Sequence, residues 1–359
     1  MTIAAHILSF HPPTAHLYEC LLRIAEQNPN VQIVFFTNAA MPKNLPQNCS
    51  VQIIAPALKS SIMLHYWYNY KLPNLLKLRQ AGIFITENGI LSFKPGAVRQ
   101  IMLLPEWFTD IKINESSFKN YRKRFFKYFL KKATRVLTAS PVLQQQLEEK
   151  FAGISSFQTI YFGIADSYRT ITIEAQEAIK KKYSNEKDFF AAQVTLGNKQ
   201  QTIPLLKAFS IFKKWHKSEM KLVLFLHQLT AQEAIPNLHS YRFKDDLVFI
   251  NTPNQDETAL LLATAYAFIY LPEKIVTDNP GICAFNCGTP LITYKNKSTQ
   301  AAFEDAALYA QNGDAGLAEQ LSELYKNETL RKQYIQKGLE YSQRYTWAHA
   351  SSLLWQAIQ

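Results

Sequence analysis

Short β-rich segments alternate with longer helical patterns along most of the chain, and no other feature constrains the fold as strongly. In the first half, strands are predicted at 32–36, 51–54, 82–86, 99–104, 136–139 and 158–161. A strand followed by a helix and another strand is typical of a parallel sheet. The sequence therefore predicts an α/β protein.

A second series of predicted strands follows Gly163 and a polar segment. Its members are 189–195, 222–226, 247–250, 267–271 and 290–293, and the tail 314–359 is nearly all helical with a break at 338–346. A chain of 359 residues is too long for one ordinary core. We predict Rossmann-like domains at 1–165 and 166–345, with the last helix, 346–359, packed back on the first domain.

Composition and cysteine spacing favour a soluble cytoplasmic protein without a metal centre. Hydrophobic residues make up 47% of the chain and charged residues 19%, which is typical of a globular protein. The N-terminus has no basic leader, and no apolar run is long enough to span a bilayer. The four cysteines form no CxxC pair, so we predict reduced thiols and no metal site.

The formal charge of +11 is concentrated in the segment 118–135. That segment contains no acid and carries Lys119, Arg122, Lys123, Arg124, Lys127, Lys131, Lys132 and Arg135. Apolar residues recur in it at helical spacing, from Phe118 through Tyr121, Phe125, Tyr128 and Phe129 to Val136. Two interpretations stay open: a core helix with a solvated basic face, or peripheral contact with anionic lipid. No nucleic-acid motif is present, and we predict no nucleic-acid partner.

No phosphate-binding glycine motif follows the first predicted strands. Neither GxGxxG nor GxxxxGK[ST] occurs there, which argues against a Rossmann dinucleotide site and a P-loop. Doubly wound sheets bind ligands outside the carboxyl ends of their strands. The expected site is therefore at those ends, in a cleft between the two domains.

Several segments resemble the family 4 glycosyltransferases, in the order in which that family has them. In the second half they are LLKAFSIFKKWHKSEMKLVL (205–224), AYAFIYLP (265–272), CGTPLIT (287–293), EDAALYA (304–310) and the closing helices from 331 to 358. In the first half they are 67–89, 99–108 and 131–140. The resemblance implies the GT-B fold, in which two doubly wound Rossmann-like domains face a central cleft. It also implies transfer of a sugar from a nucleotide donor with retention of configuration, and no cofactor.

The donor-binding positions depart from the family pattern. The two acids that hold the donor sugar in the family fall at Ile275 and Cys283, and Glu273 is the nearest replacement. The glycine loop of the family corresponds here to a segment that contains Asp278 and ends at Gly281. We predict that Asp278 or Asn279 caps the following helix, with Pro280 in its first turn. A capping side chain there takes the N–H groups that would otherwise bind phosphate.

Three further positions keep part of the family's chemistry. The basic pair that neutralises the diphosphate corresponds to Lys199 and Gln200, and the later Gly-Arg pair has His227 in place of its cation. In the first domain the family's His-Asp pair corresponds to Pro105 and Glu106, so Glu106 is the candidate general base. The alternative interpretations are a solvated lysine, a satisfied histidine and a loop or capping acid.

Two functions follow from this pattern, and the sequence leaves open whether the protein is an enzyme. The first is a glycosyltransferase of surface-glycan or polysaccharide biosynthesis, which uses a nucleotide sugar and a glycan or lipid-linked acceptor at the cytoplasmic face of a membrane. The second is a non-catalytic GT-B protein that acts as partner or regulatory subunit of an active glycosyltransferase. The second accounts for the loss of ligand positions while core positions are kept.

Overall fold

The computed structural model describes residues 1–8, 15–39, 44–55, 58, 60–105, 116–154, 156–195, 199–227, 229–235, 238–272 and 279–359. They form two compact units. Unit 1 contains the described residues from Met1 to Gly163 together with Tyr345–Gln359. Unit 2 contains those between Ile164 and Arg344.

Unit 1 is built on a parallel sheet of seven strands in the order β3-β2-β1-β4-β5-β6-β7. The strands are β1 Thr2–His6, β2 Gln32–Thr37, β3 Cys49–Ile53, β4 Ala81–Thr86, β5 Arg99–Leu104, β6 Arg135–Thr138 and β7 Phe157–Thr159. The helices are α1 His16–Gln27, α2 Ser61–Tyr66, α3 Leu72–Leu78, α4 Ser116–Lys132, α5 Pro141–Lys150 and α14 Trp347–Ile358, with a π-helical turn at Trp67–Lys71 between α2 and α3. Apolar clusters cover both faces of the sheet, as a parallel sheet requires.

The last helix, α14, packs against α1 in unit 1. Arg99 in β5 donates hydrogen bonds to the carbonyl oxygens of Ile358 and Gln359 and so anchors the end of this helix. Near its start, Trp347 lies so close to Gly163 that a Cβ atom at residue 163 would overlap its ring and its backbone nitrogen. The end of the chain is therefore part of the core of unit 1.

Unit 2 has a six-stranded parallel sheet in the order β10-β9-β8-β11-β12-β13. Its strands are β8 Phe189–Thr195, β9 Lys221–His227, β10 Leu247–Asn251, β11 Ala267–Ile269, β12 Leu291–Tyr294 and β13 Leu308–Ala310. Its α-helices are α6 Ile173–Tyr183, α7 Thr202–His216, α8 Ala231–Ala234, α9 Gln255–Thr264, α10 Pro280–Asn286, α11 Lys297–Phe303, α12 Asp314–Lys326 and α13 Glu328–Ser342. Short 3₁₀ turns lie at Lys199–Gln201, Leu238–Ser240 and Lys244–Asp246.

The predicted α/β class and two parallel sheets are confirmed, but two strands escaped prediction. β1 has the sequence TIAAH, whose alanines carry little strand propensity. β13 is only three residues long. The missed β1 lies between β2 and β4 in the centre of its sheet, so local propensity says little about a strand that is stabilised by neighbours on both sides.

The basic helix differs from its prediction at its C-terminal end. α4 ends at Lys132, and Arg135 and Val136 belong to strand β6. Tyr121 and Phe129 are buried as expected, but the buried face also uses Phe126 and Leu130. Tyr128, which the pattern places on the buried face, is 38% exposed.

We expect Gly163→Ala to destabilise the protein by about 1–3 kcal/mol, because the new methyl group overlaps Trp347 in a packed core. The measurement is urea unfolding followed by tryptophan fluorescence. Gly82→Ala is the control, since a Cβ atom at residue 82 meets nothing within 4 Å. Equal midpoints for the two variants would contradict the proposed packing of α14.

Candidate functional site

Polar side chains gather in unit 1 where the strand order reverses. The order runs β3-β2-β1 on one side and β4-β5-β6-β7 on the other, so β1 and β4 are neighbours at the reversal. His6 at the end of β1 pairs in register with Thr86 at the end of β4. Ligands of doubly wound sheets bind beyond the carboxyl ends of such a pair of strands.

Glu87, the first residue after β4, is buried at this point, with only 3% of its surface exposed. Its Oε1 accepts a hydrogen bond of 2.8 Å from the backbone N–H of Leu8, which follows β1. Burial raises the pKa of its carboxyl group to about 8, because a low-dielectric environment disfavours the charged form. Glu87 is not among the residues predicted from the sequence, although an acid directly after a buried parallel strand is a signal for such a site.

A neutral hydrogen-bond network surrounds the backbone next to Glu87. The Tyr68 hydroxyl lies 2.5 Å from His6 Nδ1 and accepts a bond of 2.7 Å from Asn88 Nδ2. Asn88 Oδ1 in turn accepts from the Thr86 hydroxyl at 2.7 Å and from the Ile90 N–H at 3.0 Å. Burial lowers the pKa of His6 to about 3, so its imidazole is neutral at pH 7. The network fixes the loop after β4.

Arg122 of α4 brings a cation close to this loop. Its side chain is buried, and Nη1 lies 3.4 Å from the Asn88 carbonyl oxygen, to which it donates. Burial lowers its pKa to about 10, which leaves the guanidinium charged at neutral pH. The basic helix therefore contributes one residue to the candidate site of unit 1 and directs others to the surface.

The second candidate site lies in unit 2, at the carboxyl ends of β8 and β9. Thr195 and His227 end these strands and pair in register. His227 is half-buried, and burial lowers its pKa. Its imidazole is therefore neutral at pH 7, and this strand end supplies no positive charge from His227.

The predicted basic pair lies at the entrance to α7. Lys199 and Gln200 begin a 3₁₀ turn that runs into this helix, and Gln200 is exposed. Thr202, the first residue of α7, is 1% exposed, and its hydroxyl has no hydrogen-bond partner within the described part of the chain. A small cavity beside it is lined by residues of β8, α7 and the end of β11, including Gln193, Thr202 and Leu271.

The N-terminus of α10 matches the capping prediction. Asn279 is the N-cap residue and accepts the Gly281 N–H at 3.0 Å, and Pro280 occupies the first helical position. A Cβ atom at Gly281 would lie 2.7 Å from Phe303 and 2.9 Å from Leu291, so packing itself requires glycine there. Cys283 is buried on the same short helix. The Asn279 side chain therefore accepts the Gly281 N–H, which is not left for an anion.

Several predicted site residues lie outside the described residues: Glu106, Glu273, Ile275 and Asp278. Their assignment stays a prediction. Within the described ranges, no three His, Cys, Asp or Glu side chains come together as metal ligands would. Of the helices that the structure describes, none is long and apolar enough to cross a bilayer.

No protein-family model and no curated protein sequence matches this chain. Solved structures do match it over nearly its whole length. A glycosyltransferase from Rickettsia africae ESF-5 gives a TM-score of 0.72 at 11% identity, covering 99% of this chain and 97% of the other. Anabaena Alr3699/HepE in complex with UDP gives 0.71 at 15% identity, covering 100% and 99%.

A third structure, WaaG, described as a glycosyltransferase involved in lipopolysaccharide biosynthesis, gives 0.64 at 12% identity over 98% of this chain and 99% of its own. The chain has the GT-B fold. At such low identity the likeness establishes the fold alone, and function has to be argued from the sites. Both candidate sites lie at the carboxyl edges of the two GT-B sheets.

The raised pKa of Glu87 predicts a specific pH dependence of stability. A glutamate carboxyl group ordinarily has a pKa of 4.5, whereas that of Glu87 in the folded protein is about 8. Between these two pH values the folded protein holds a proton that the unfolded chain has released. Between pH 6.5 and 8 we expect the contribution of Glu87 to the free energy of unfolding to fall by about 1.4 kcal/mol per pH unit, tapering towards pH 8. The lowered pKa of His6 acts in the opposite direction and fades above pH 6.5, the ordinary pKa of an unfolded imidazole.

Urea unfolding of the wild type and Glu87→Gln at pH 6.5, 7.25 and 8 measures this slope. The glutamine variant should lack it, since its amide does not titrate. Parallel pH profiles for the two proteins would contradict the assignment of the raised pKa to Glu87.

Proposed function

We propose that this protein is a family 4 type glycosyltransferase of surface-glycan or polysaccharide biosynthesis. It transfers a sugar from a nucleotide donor to a glycan or lipid-linked acceptor, with retention of configuration at the sugar. The observation that carries the proposal is the match of both units to three solved structures, over 97–99% of each solved chain. Two of them are described as glycosyltransferases, and the third, Anabaena Alr3699/HepE, was solved with UDP.

The nucleotide sugar binds to unit 2 in this proposal. Lys199 and Gln200 begin the turn that enters α7, a helix of 15 residues whose positive end suits a diphosphate. His227 supplies a neutral hydrogen-bonding group from the end of β9. Glu273 takes the sugar hydroxyls, while Asp278, Gly281 and Cys283 occupy the positions of the family's phosphate loop and second acid. Cationic and backbone donors make metal and cofactor unnecessary for this binding mode.

Unit 1 receives the acceptor, and Glu106 is the proposed general base. A carboxylate can accept the proton that the acceptor hydroxyl loses as its oxygen forms the new bond to the sugar. The bond between the sugar carbon and the diphosphate breaks in the same reaction, and the nucleoside diphosphate leaves with the electron pair. Retention of configuration requires the acceptor oxygen to approach the sugar carbon from the face that the diphosphate leaves.

A non-catalytic GT-B protein that partners an active glycosyltransferase is the second candidate. The N-terminus of α10 favours it, because Asn279 takes the Gly281 N–H at 3.0 Å. The buried Cys283 stands where the family has an acid. In this case the sheets and helices are kept as a scaffold, and the donor site is not used.

Calorimetric titration with UDP, GDP and their common sugar derivatives separates the two candidates. The first predicts binding that Lys199→Ala and Glu273→Ala each weaken about tenfold, the loss of one charged hydrogen bond. Lys181→Ala, an exposed change on α6, is the matched control. No heat at millimolar nucleotide would contradict the enzyme and leave the scaffold role.

We also propose that unit 1 contacts an anionic membrane surface through the segment 118–135. Among the side chains of α4 that the structure describes, five exposed ones are cations: Lys123, Arg124, Lys127, Lys131 and Lys132. α2 packs against α4, and His65 Nδ1 lies 3.1 Å from the Tyr121 hydroxyl. The outer side of α2 and the π-helical turn presents Ile62, Tyr66 and Tyr70, which are 82%, 51% and 52% exposed.

The exposed cations of α4 suit the headgroup layer of a bilayer, and the exposed apolar and aromatic stripe of α2 and the π-helical turn suits the boundary with the acyl chains. Lysine and arginine side chains attract anionic headgroups, and an apolar and aromatic stripe enters the boundary below them. Lys94 stands over the Tyr70 ring at 5.6 Å and joins the charge to the stripe. A peripheral position at the cytoplasmic face would bring the protein to a lipid-linked acceptor.

Co-sedimentation with vesicles of phosphatidylglycerol and phosphatidylcholine tests this contact. Each lysine near an anionic surface contributes about 1 kcal/mol, so Lys127→Ala with Lys131→Ala should weaken binding about thirtyfold. Lys181→Ala with Lys182→Ala in unit 2 is the control pair. Equal binding to pure phosphatidylcholine vesicles would rule out the electrostatic contact.

A further inference from the structure

Glu87 is a buried acid of unit 1 that the proposed function leaves without a role. It is 3% exposed, and within the described part of the chain its carboxyl group receives one hydrogen bond, from Leu8. No described lysine, arginine or histidine forms an ion pair with it. Burying a carboxyl group with so few partners is unfavourable, and buried, strongly perturbed acids cluster at ligand sites.

The neighbouring network does not need Glu87. His6, Tyr68, Asn88 and Thr86 bond to one another, and the acid takes no part in these contacts. A glutamine or an apolar residue at position 87 would leave that network complete. The carboxyl group is therefore not explained by the packing of unit 1.

The position of Glu87 in the sheet, in contrast, is typical of a ligand-binding residue. Glu87 follows β4 and is bonded by Leu8, which follows β1, so it bridges the two strands at which the order of the sheet reverses. This is the place where open α/β sheets bind their ligands. The Asn88 side chain accepts hydrogen bonds from the Thr86 hydroxyl and the Ile90 N–H, one on each side of Glu87 in the chain. These bonds fix the loop that carries the carboxyl group.

We propose that unit 1 binds a polyhydroxylated carbohydrate at the β1–β4 reversal through the carboxyl group of Glu87. A sugar hydroxyl both donates and accepts hydrogen bonds, and a carboxyl group that can hold its proton near neutral pH does the same. A neutral sugar needs no counter-ion in a buried place. The identification of this sugar as the acceptor rests on the proposed function, whereas the binding itself does not.

Saturation-transfer NMR with glucose, galactose, N-acetylglucosamine and maltose as probes tests the site. We expect transfer to at least one of them in the wild-type protein at millimolar concentration. Glu87→Leu, which removes every polar atom of the group, should lower the signal at least tenfold. Glu87→Gln, which keeps an acceptor for Leu8, should lower it less and guards against a folding defect in the leucine variant.

Glu148→Gln is the matched control. Glu148 is an exposed acid on α5, also in unit 1, and its change should leave the signal intact. No transfer to any of the four sugars in the wild type, or an unchanged signal in both Glu87 variants, would overturn the proposal.

Titration of the same proteins with UDP separates this inference from the proposed function. Loss of the sugar signal in Glu87→Leu without any UDP binding supports the site and contradicts the glycosyltransferase. UDP binding together with a sugar signal that ignores Glu87 supports the enzyme and overturns the site.

Discussion

The pairing of β1 with β2 on one side and β4 on the other is the interaction on which unit 1 depends. A strand in the centre of a parallel sheet has both faces covered and both edges hydrogen-bonded. Apolar residues therefore fill its length, and polar chemistry can enter only where the strands end. His6, Thr86 and Glu87 stand at those ends. The same constraint operates in unit 2, where Thr195 and His227 end β8 and β9.

Much of this architecture could be read from the sequence, because hydrophobic periodicity reports which segments are buried. All eleven predicted strands have counterparts in the two sheets, whereas β1 and β13 were missed. TIAAH forms a strand because β2 and β4 pair with it. Its own sequence contains no signal of that pairing. The cap at Asn279 was predictable, since an asparagine before a proline and a helix has a local physical cause. The hydrogen bond that Glu87 accepts has no such local cause, because its donor, Leu8, is distant in sequence.

The two candidate functions assign different roles to the N-terminus of α10. Gly281 is needed because Phe303 and Leu291 fill the space beside it, and Asn279 satisfies its N–H. Both features are complete without a ligand. The entrance to α7 is different, because the buried Thr202 hydroxyl lacks a partner among the described residues. If unit 2 binds a diphosphate, we expect the diphosphate at the N-terminus of α7 and not at that of α10.

The return of α14 to unit 1 makes that unit discontinuous in the chain. Its sheet is complete by residue 159, yet Trp347 and the carbonyl groups bound by Arg99 come only after the whole of unit 2. During synthesis the ribosome therefore releases a finished unit 2 before unit 1 can close its core. The first unit to emerge is the last to be completed, and until then the surface of α1 that α14 covers is exposed to solvent.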